Sequence, residues 1–314
     1  MNETNAPLVS IRCATYNHEK YIRDALEGFV MQKTNFKFEA IVHDDASTDN
    51  TAAIIREYAE KYPDIIKPIF ETENQYSKHD GSLRRIMDAA CKGKYIALCE
   101  GDDYWTDPYK LQKQVDFLET HPEYAMCSHK FRDFIQNKYT YGNFNPLNFN
   151  ENTTYCFEDY ITRNKWLTQP LTCMYRKSAF KLDEYTKYKN AKDLTLFYHI
   201  LKSGKGYFMK DCMAVYRVHD GGVWSGKSNN QQLLSDLKTL KGIYEIDLSL
   251  DAAQLMKSSL IKGCYRFTPQ FIFQNLILMI KIWNIMFKYF GLETIKIILR
   301  EFHIKKNLMF WKYK

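Results

Sequence analysis

Apolar runs alternate with amphipathic segments over the first 105 residues, and this alternation restricts the fold of the chain more than any other feature. The runs predict strands and the intervening segments predict helices, because the apolar residues of those segments recur at helical spacing. Consecutive strands joined through a helix pair in parallel. We therefore predict an α/β fold with a mostly parallel central sheet and flanking helices, with strands at 8–15, 38–43, 65–70 and 95–99 and helices at about 19–32, 50–61 and 81–91.

Polar residues follow three of these predicted strands. Thr15-Tyr16 follow the first, Asp44-Asp45 the second, and residues 100–103 the fourth. Ligands of parallel sheets bind outside the carboxyl ends of the strands, so the sequence predicts a binding site at this edge. No G-x-G-x-x-G follows the first strand, which argues against a Rossmann-type dinucleotide site.

The fourth predicted strand leads directly into three carboxylates within four positions: Glu100, Asp102 and Asp103. Like charges this close raise one another's pKa and destabilise a fold unless a cation lies between them. The alternative is an acidic turn before a helix that starts near Asp107-Pro108. A helix cap needs only one acid, so we favour a divalent cation site.

The same residues belong to four spaced motifs that resemble glycosyltransferase family 2. The resemblance covers roughly the first 125 residues and implies the GT-A fold, with a nucleotide-sugar as donor substrate. Glu100 stands where the family often has Asp, and Ala46 where it often has Gly. The motifs are Ala14-Thr15-Tyr16-Asn17 with Tyr21-Ile22, Val42-His43-Asp44-Asp45-Ala46-Ser47-Thr48-Asp49-Asn50-Thr51, Gly93-Lys94-Tyr95-Ile96 and Glu100-Gly101-Asp102-Asp103.

The resemblance also implies roles for the acids at the end of the fourth strand. By position in the motif, Asp103 and Asp102 are the metal and ribose ligands, and both are counted as metal candidates. Glu100 is a weaker third candidate. The cofactor implied is a divalent cation, Mn²⁺ or Mg²⁺, which would stabilise the negative charge of the departing diphosphate.

Four further residues match positions that the family uses for the nucleotide. Thr15 and Tyr16 match its base-packing turn, and Asp45 matches the acid that accepts a hydrogen bond from the pyrimidine ring. Arg84 stands where the family often has an Arg near the nucleotide. The alternatives are that Asp45 only caps the following helix and that Arg84 is a solvated helix residue, with Arg85 beside it able to serve as well.

The second half of the chain is predicted to build the acceptor side, with strands at 124–129 and 171–176 and an irregular aromatic and Asn-rich loop at about 138–152. Asp193 then opens an apolar-faced helix that ends at Ser203-Gly204. The resemblance implies that Asp193 is the catalytic base of an inverting enzyme, whereas local sequence alone favours a helix cap. Lys192 stands where the family often has a second acid.

His219 follows the last predicted strand and precedes a flexible Gly221-Gly222 loop that carries Trp224 and Ser225. Related enzymes use such a His as a metal or diphosphate ligand, and the loop suits a lid. The alternative is a structural histidine.

From about Asn229 onward only helices are predicted. Residues 231–314 hold 13 Lys and Arg against 6 Asp and Glu, which accounts for the whole net charge of +7. The segment Phe271 to Phe290 is the most apolar, but polar residues interrupt it, so it is a poor bilayer span. We predict helices that lie on an anionic membrane surface. The alternative is that their apolar faces pack on the catalytic domain.

These observations predict a GT-A catalytic domain over 1–228, with a nucleotide-sugar half at about 1–125 and an acceptor half at about 126–228, and a helical C-terminal extension over 229–314. Eight scattered cysteines without a CxxC pair, and a polar start without a secretion signal, predict a cytoplasmic protein with reduced thiols. It is expected to be peripheral at the inner face of the cell membrane. No nucleic acid partner is expected.

We therefore expect a metal-dependent inverting glycosyltransferase. It would move a sugar from a UDP-sugar, or a related donor, to a hydroxyl of a glycan or lipid-linked oligosaccharide in cell-surface polysaccharide biosynthesis. One alternative is a catalytically inactive module that binds sugar-nucleotide or membrane. The other is a sugar-1-phosphate nucleotidyltransferase, which needs a Gly-rich basic loop that residues 14–19 do not provide.

Overall fold

The computed structural model describes residues 6–140, 150–162, 167–188, 190–263 and 269–291. Within these residues, ten strands form one mixed sheet. The strands are β1 (Val9–Thr15), β2 (Phe38–Asp44), β3 (Ile66–Phe70), β4 (Tyr95–Leu98), β5 (Tyr104–Trp105), β6 (Tyr124–Ile135), β7 (Lys138–Thr140), β8 (Thr153–Tyr155), β9 (Met174–Arg176) and β10 (Lys205–Val218).

The strand order is β3-β2-β1-β4-β9-β6-β10-β5, with β7 paired to β6 and β8 to β10. The first four strands of the chain pair in parallel, with β1 at the centre between β2 and β4. The residues of β1, β2 and β4 are almost all buried, as expected for parallel strands covered by helices on both faces. The predicted parallel half of the sheet is confirmed, and antiparallel pairing begins where β9 joins β4.

Helices connect the strands and continue to the end of the described chain. Ring contact between Phe29 of the first helix and Trp105, at 5.2 Å, fixes that helix to the sheet. The helices are α1 (Ile22–Val30), α2 (Thr51–Lys61), α3 (Ser82–Ala90), α4 (Lys110–Thr120), α5 (Phe157–Thr162), α6 (Leu182–Tyr185), α7 (Asp193–Lys202), α8 (Asn229–Asp247), α9 (Leu250–Gly263), α10 (Pro269–Gln274) and α11 (276–291).

Two strand predictions in the second half differ from the structure. The strand predicted at 171–176 is shortened to β9, because Pro170 begins a turn of 3₁₀ helix through Thr172 and proline suits a first helical position. The last strand, β10, begins at Lys205, ten residues before the apolar stretch at 215–218 that leads into His219. Register shifts between Met209 and Ala214 interrupt its apolar alternation, which conceals its first half in the sequence.

The chain forms two compact units. The first contains the whole sheet and comprises residues 1–157, 166–186 and 196–219. The second comprises residues 158–165, 187–195 and 220–314, and it contains the predicted helical extension. In the second unit, Ser228 and Gln231 form a capping box that starts α8. Met279, Ile282 and Met286 of α11 are buried. No helix of the described chain is long and apolar enough to cross a membrane.

A buried lysine in α4 generates a prediction about stability. Lys110 is fully buried, donates to Gln114 Oε1 at 2.6 Å and lies 3.9 Å from the centre of the Trp105 ring. Burial lowers the pKa of Lys110 from its usual 10.5 to about 8. Between these two values the unfolded chain binds a proton that the folded chain has released, so the free energy of unfolding should rise with pH across that window.

We expect Lys110→Met to remove this rise, because methionine keeps the apolar stem without a titrating group. Urea unfolding of both proteins at about pH 7.5 and about pH 10 measures the free energy of unfolding at each pH. The rise between the two pH values should be larger in the unchanged protein than in the variant, by up to about 3 kcal/mol. Identical pH dependence in the two proteins would contradict the assignment. Any loss from leaving Gln114 unpaired is common to both pH values and cancels.

Candidate active site

The loop between β4 and β5 packs against the end of β1 and carries the acidic cluster. Gly101 N donates to Ala14 O at 3.0 Å. A Cβ atom added at Gly101 would lie 2.5 Å from Thr15 Oγ1, which is closer than real Cβ contacts. Only glycine therefore fits between Glu100 and Asp102 at this approach, and the two strand ends are held together at the edge where the sequence predicts a site.

Asp102 faces two histidines of the same unit. Its Oδ2 atom lies 3.2 Å from His219 Nε2 and 3.9 Å from His18 Nε2. The other nitrogen of His18, Nδ1, lies 3.1 Å from Thr15 Oγ1. Tyr21 borders the cluster, with its ring centre 4.5 Å from that of His219. The structure thus brings together Thr15, Asp102 and His219, three of the predicted site residues.

Asp103 is held by the end of β10. Its side chain is buried, and Oδ1 accepts a hydrogen bond from Arg217 N at 2.9 Å. The Arg217 guanidinium donates to Asp102 O at 3.0 Å and forms an ion pair with Asp24. The guanidinium also lies 4.4 Å from the centre of the Tyr104 ring. Arg217 of β10 therefore holds both Asp102 and Asp103 in place through hydrogen bonds.

The two neighbouring carboxyls have pKa values displaced in opposite directions. Burial, followed by the negative charge of Asp102, raises the pKa of Asp103 well above its usual range. Burial alone would also raise the pKa of Asp102, but the hydrogen bond with His219 and the nearby His18 outweigh it and lower that pKa. Burial lowers the pKa of His18, against the attraction of Asp102. Asp102 is thus the carboxyl of the pair that the surroundings favour in its anionic form.

Asp45 accepts two backbone hydrogen bonds from the loop after β3. Its Oδ1 binds Gln75 N at 2.7 Å and its Oδ2 binds Tyr76 N at 3.0 Å, and the side chain is buried. It does not cap α2, because Asp49 accepts from the backbone N of Thr51 instead. Asp45 therefore shapes the edge of the sheet by fixing the loop at 75–76.

The turns after β1 and β2 hold each other. Asn17 N donates to Ser47 Oγ at 2.9 Å, and Asn17 Oδ1 accepts from Thr48 N at 2.8 Å. Asn17 and Ala46 both have positive φ angles, of 54° and 64°. The left-handed conformation at Ala46 is one that glycine adopts more readily than alanine. Tyr16 projects from this rigid turn with its side chain partly exposed.

Arg84 makes its contacts within the protein. Its Nε atom donates to Asp88 Oδ2 at 2.5 Å and its Nη2 atom donates to Tyr175 Oη at 3.2 Å. The guanidinium also stacks on the rings of Phe180 and Tyr185, at 4.4 Å and 5.0 Å from their centres. Arg84 is therefore a packed residue of α3, in contrast to the solvated helix residue that was the alternative.

Asp193 is the first residue of α7, as the sequence predicts, and belongs to the second unit. The backbone N of Lys192 donates to Thr195 Oγ1 at 3.3 Å, and Lys192 Nζ donates to Ser235 Oγ of α8. The Lys192 ammonium lies 6.0 Å from the Trp224 ring centre, and burial lowers its pKa. The position that often holds a second acid is thus occupied here by a partly buried cation, which α8 holds beside Asp193.

The residues around Asp102 suit a cation that takes only some of its ligands from the protein. Across the described chain, no group of three or more His, Cys, Asp or Glu side chains is arranged to hold a metal ion. The 3.2 Å between Asp102 Oδ2 and His219 Nε2 is nevertheless the spacing of two adjacent ligands, since ligands at about 2.1 Å in an octahedron lie roughly 3 Å apart. Mg²⁺-like ions commonly take one or two protein ligands and complete their shell with substrate phosphates.

Sequence reasoning did not single out His18 or Arg217, although both stand within two residues of positions that it did consider. His18 follows Asn17 in the first turn, and Arg217 stands two residues before His219. Side chains along an extended chain alternate between two sides, so the spacing of two residues predicts Arg217 on the same side as His219. His18 lies in a turn and contacts Thr15, so no strand alternation in the sequence indicates its position.

Comparison with known proteins agrees with this geometry. The profile described as "Glycosyl transferase family 2" matches residues 10–182, more than half of the chain. The protein therefore belongs to glycosyltransferase family 2, and the predicted family is confirmed.

Two relatives illustrate the range of similarity. An uncharacterised protein of Mycobacterium tuberculosis is 38% identical over 218 residues, which cover 69% of this chain. The chain spans only 60% of the length of that relative. The Escherichia coli protein WfaP, a UDP-Glc:α-D-GlcNAc-diphosphoundecaprenol β-1,3-glucosyltransferase, is 28% identical over 239 residues, covering 75% of this chain and 86% of WfaP.

Among solved structures, Staphylococcus aureus TarS residues 1–349 in complex with UDP-GlcNAc superimposes with a TM-score of 0.61 at 18% identity. The match covers 90% of this chain and 80% of that one. The fold is the GT-A fold that the motifs imply, with a helical C-terminal region.

We predict that Arg217 is a main stabiliser of the acidic loop. Arg217→Ala removes the guanidinium contacts to Asp102 O and Asp24 while keeping the backbone donor to Asp103. Loss of hydrogen bonds from a buried charged group should lower the free energy of unfolding by about 2–3 kcal/mol, measured by urea unfolding.

The matched control is Arg23→Ala, which breaks an ion pair with Glu57 in the same unit where both side chains are about half exposed. That substitution should leave the unfolding free energy unchanged, because exposed ion pairs contribute little. Equal effects from the two substitutions would show that Arg217 does not hold the loop.

Proposed function

We propose that this protein is an inverting, metal-dependent glycosyltransferase that moves a sugar from a UDP-sugar to an acceptor hydroxyl in cell-surface polysaccharide biosynthesis. The observation that carries the proposal is the Asp102 and His219 pair, 3.2 Å apart beside the end of β1. It supplies an anionic oxygen and an imidazole next to the turn with which the family packs a nucleotide base. UDP-sugar specificity is supported by TarS, whose structure contains UDP-GlcNAc, and by the UDP-Glc donor in the name of WfaP.

For the donor, we propose contacts from Thr15, Tyr16, Asp45, Asp102 and Arg84. Tyr16 offers a partly exposed ring on a turn that hydrogen bonds already fix, and this suits packing against a base. Both Asp45 oxygens already accept backbone hydrogen bonds, so Asp45 would meet the base through a remaining lone pair. Arg84 is also a proposed contact, although its guanidinium already donates hydrogen bonds to Asp88 and Tyr175 within the protein.

For the cation, we propose Asp102 and His219 as the protein ligands, with Asp103 as a third candidate. Asp103 already accepts from Arg217 N and is buried, so its proposed contribution is to keep Asp102 in place. A bound Mn²⁺ or Mg²⁺ would offset the charge that develops on the leaving diphosphate. The residues Asp102 and His219 hold their positions through the loop and strand ends described above.

For the base, we propose Asp193. Its carboxylate would take the proton of the acceptor hydroxyl, whose oxygen then attacks the anomeric carbon as the carbon–oxygen bond to the diphosphate breaks on the opposite face. Attack from the opposite face inverts the anomeric configuration. The neighbouring Lys192 ammonium attracts this carboxylate electrostatically.

For the acceptor, we propose a glycan or a lipid-linked oligosaccharide at the cytoplasmic face of the cell membrane. The support is WfaP, whose name specifies a diphosphoundecaprenol-linked acceptor, together with the basic and apolar composition of residues 229–314. Such an acceptor keeps its lipid in the bilayer, so an enzyme that uses it gains from being peripheral to the same surface.

The first test concerns the cation ligands. We expect Asp102→Asn and His219→Ala to abolish the Mn²⁺-dependent part of UDP binding, because each removes one of two protein ligands. Titration calorimetry of UDP with and without Mn²⁺ measures it. Asp103→Asn serves as the comparison and should reduce metal-dependent binding less. If Asp103→Asn alone abolishes it, Asp103 is the ligand and the Asp102 assignment is wrong.

The second test concerns the base. We expect Asp193→Asn to leave UDP and Mn²⁺ affinity nearly intact and to lower turnover by about two to four orders of magnitude, the usual contribution of a general base. Calorimetry and a transfer assay on the same preparation give both quantities. Lost donor binding with turnover little changed would make Asp193 a structural residue.

A further inference from the structure

We propose that the exposed side of α10 and α11 is a docking surface for anionic lipid. Five large apolar side chains are exposed there, and we call them the outer apolar face: Phe273, Leu276, Ile277, Ile280 and Phe287. Phe273 is 80% exposed and Ile277 is 74% exposed. The proposal deepens the proposed function, on which it rests for its biological purpose, by naming the surface that would bring the enzyme to a lipid-linked acceptor.

The outer apolar face is distinct from the face of α11 that packs within its own unit. Met279, Ile282 and Met286 are buried there, at a spacing of three and four residues. Phe273, Ile277, Ile280 and Phe287 recur at the same helical spacing on the other side. Internal packing therefore accounts for one apolar side of this helix and leaves the second one exposed.

Exposed apolar residues that stand alone need no explanation, but a contiguous row does. Soluble proteins seldom leave such rows in water unless the row binds an apolar partner. The two turns from Phe273 to Ile280 present one, and Phe287 extends the face beyond the exposed Asn284. The partner must therefore offer a continuous apolar phase or an apolar surface of similar length.

Charge beside the face identifies which partner fits. Lys281 and Lys288 are exposed and lie two turns apart along one border of the outer apolar face. Residues 269–291 contain no Asp or Glu. A row of apolar side chains bordered by lysines matches the boundary between acyl chains and anionic headgroups.

A second copy of the chain fits this face less well. A symmetric pair of α11 helices would bring both lysines of each copy to one interface, where residues 269–291 supply no acid to pair with them. Spanning the bilayer is also not indicated, because none of the described helices is long and apolar enough. A helix that lies on an anionic surface satisfies both the apolar row and its basic border.

The experiment uses the full chain and vesicles of phosphatidylcholine, with or without phosphatidylglycerol. We expect co-sedimentation with the anionic vesicles that weakens at about 1 M salt, where the screening length falls to roughly 3 Å. Combining Phe273→Ser with Ile277→Ser should reduce partitioning about tenfold or more. Combining Lys281→Gln with Lys288→Gln should reduce it roughly tenfold for anionic vesicles only. Leu250→Ser, at an exposed apolar residue of α9, is the control and should change nothing.

Each variant is also measured for thermal unfolding, mass in solution and donor hydrolysis, all of which should match the unchanged protein. Vesicle binding that is absent, or equal for neutral and anionic lipid, overturns the proposal. Destabilised serine variants would show that the chain itself covers the face, and a dimer that they dissociate would show that a second copy does. Vesicle binding without donor hydrolysis would overturn the proposed function while leaving the surface intact.

Discussion

The structure of the candidate site depends on how the end of β10 holds two neighbouring carboxyls. Asp102 and Asp103 are adjacent in the chain, and burying both without restraint would set like charges against each other. Arg217 resolves this by donating its backbone N to Asp103 and its guanidinium to the carbonyl of Asp102. Asp103 becomes an internal anchor, and Asp102 is left facing His219. One strand end thereby gives two identical side chains different environments.

This arrangement also explains the residues around it. The loop approaches β1 so closely that position 101 has no room for a side chain, since Thr15 lies where a Cβ would be. The same approach places His18 near Asp102. The anionic character of Asp102 follows from these neighbours, because burial by itself would act in the other direction. The chemistry available to the site is therefore set by backbone positions as much as by the side chains of the motif.

Much of the fold could be predicted from the sequence because its signals are local. Buried parallel strands appear as apolar runs, and the polar residues that end β1, β2 and β4 mark one edge of the sheet. The site was accessible only in part. His219 lies 117 residues from Asp102 in the chain, and its pairing depends on where β10 ends. Local patterns do not encode the register of β10, whose first half contains bulges.

The packing of the helical segment at 271–290 also could not be predicted from local sequence patterns. The sequence indicates an apolar segment at 271–290 but does not say which of its apolar residues pack internally, because they occur on more than one side of the helix. Ile272 and Trp283, which the sequence would assign equally to a lipid surface, are partly buried, whereas Phe273 and Ile277 are exposed. A helix with apolar residues on two sides has no single apolar face that would orient it. Only the burial of Met279, Ile282 and Met286 distinguishes the side that packs from the side that remains available to a partner.

The hydrogen bonds between the turns at the sheet edge affect how the site can bind a donor. Glu19 N donates to Asp49 Oδ2 at 3.0 Å, and Glu19 Oε2 accepts from Asn50 N at 3.1 Å, so the protein's own hydrogen bonds fix the turns after β1 and β2 to each other. A site that is already ordered loses little conformational entropy when a ligand binds. More of the binding free energy of a donor then remains available for orienting its reacting bond, which is how positioning contributes to catalysis. The hydrogen bonds between the turns therefore serve function through the order they impose, even though none of their residues needs to touch the sugar.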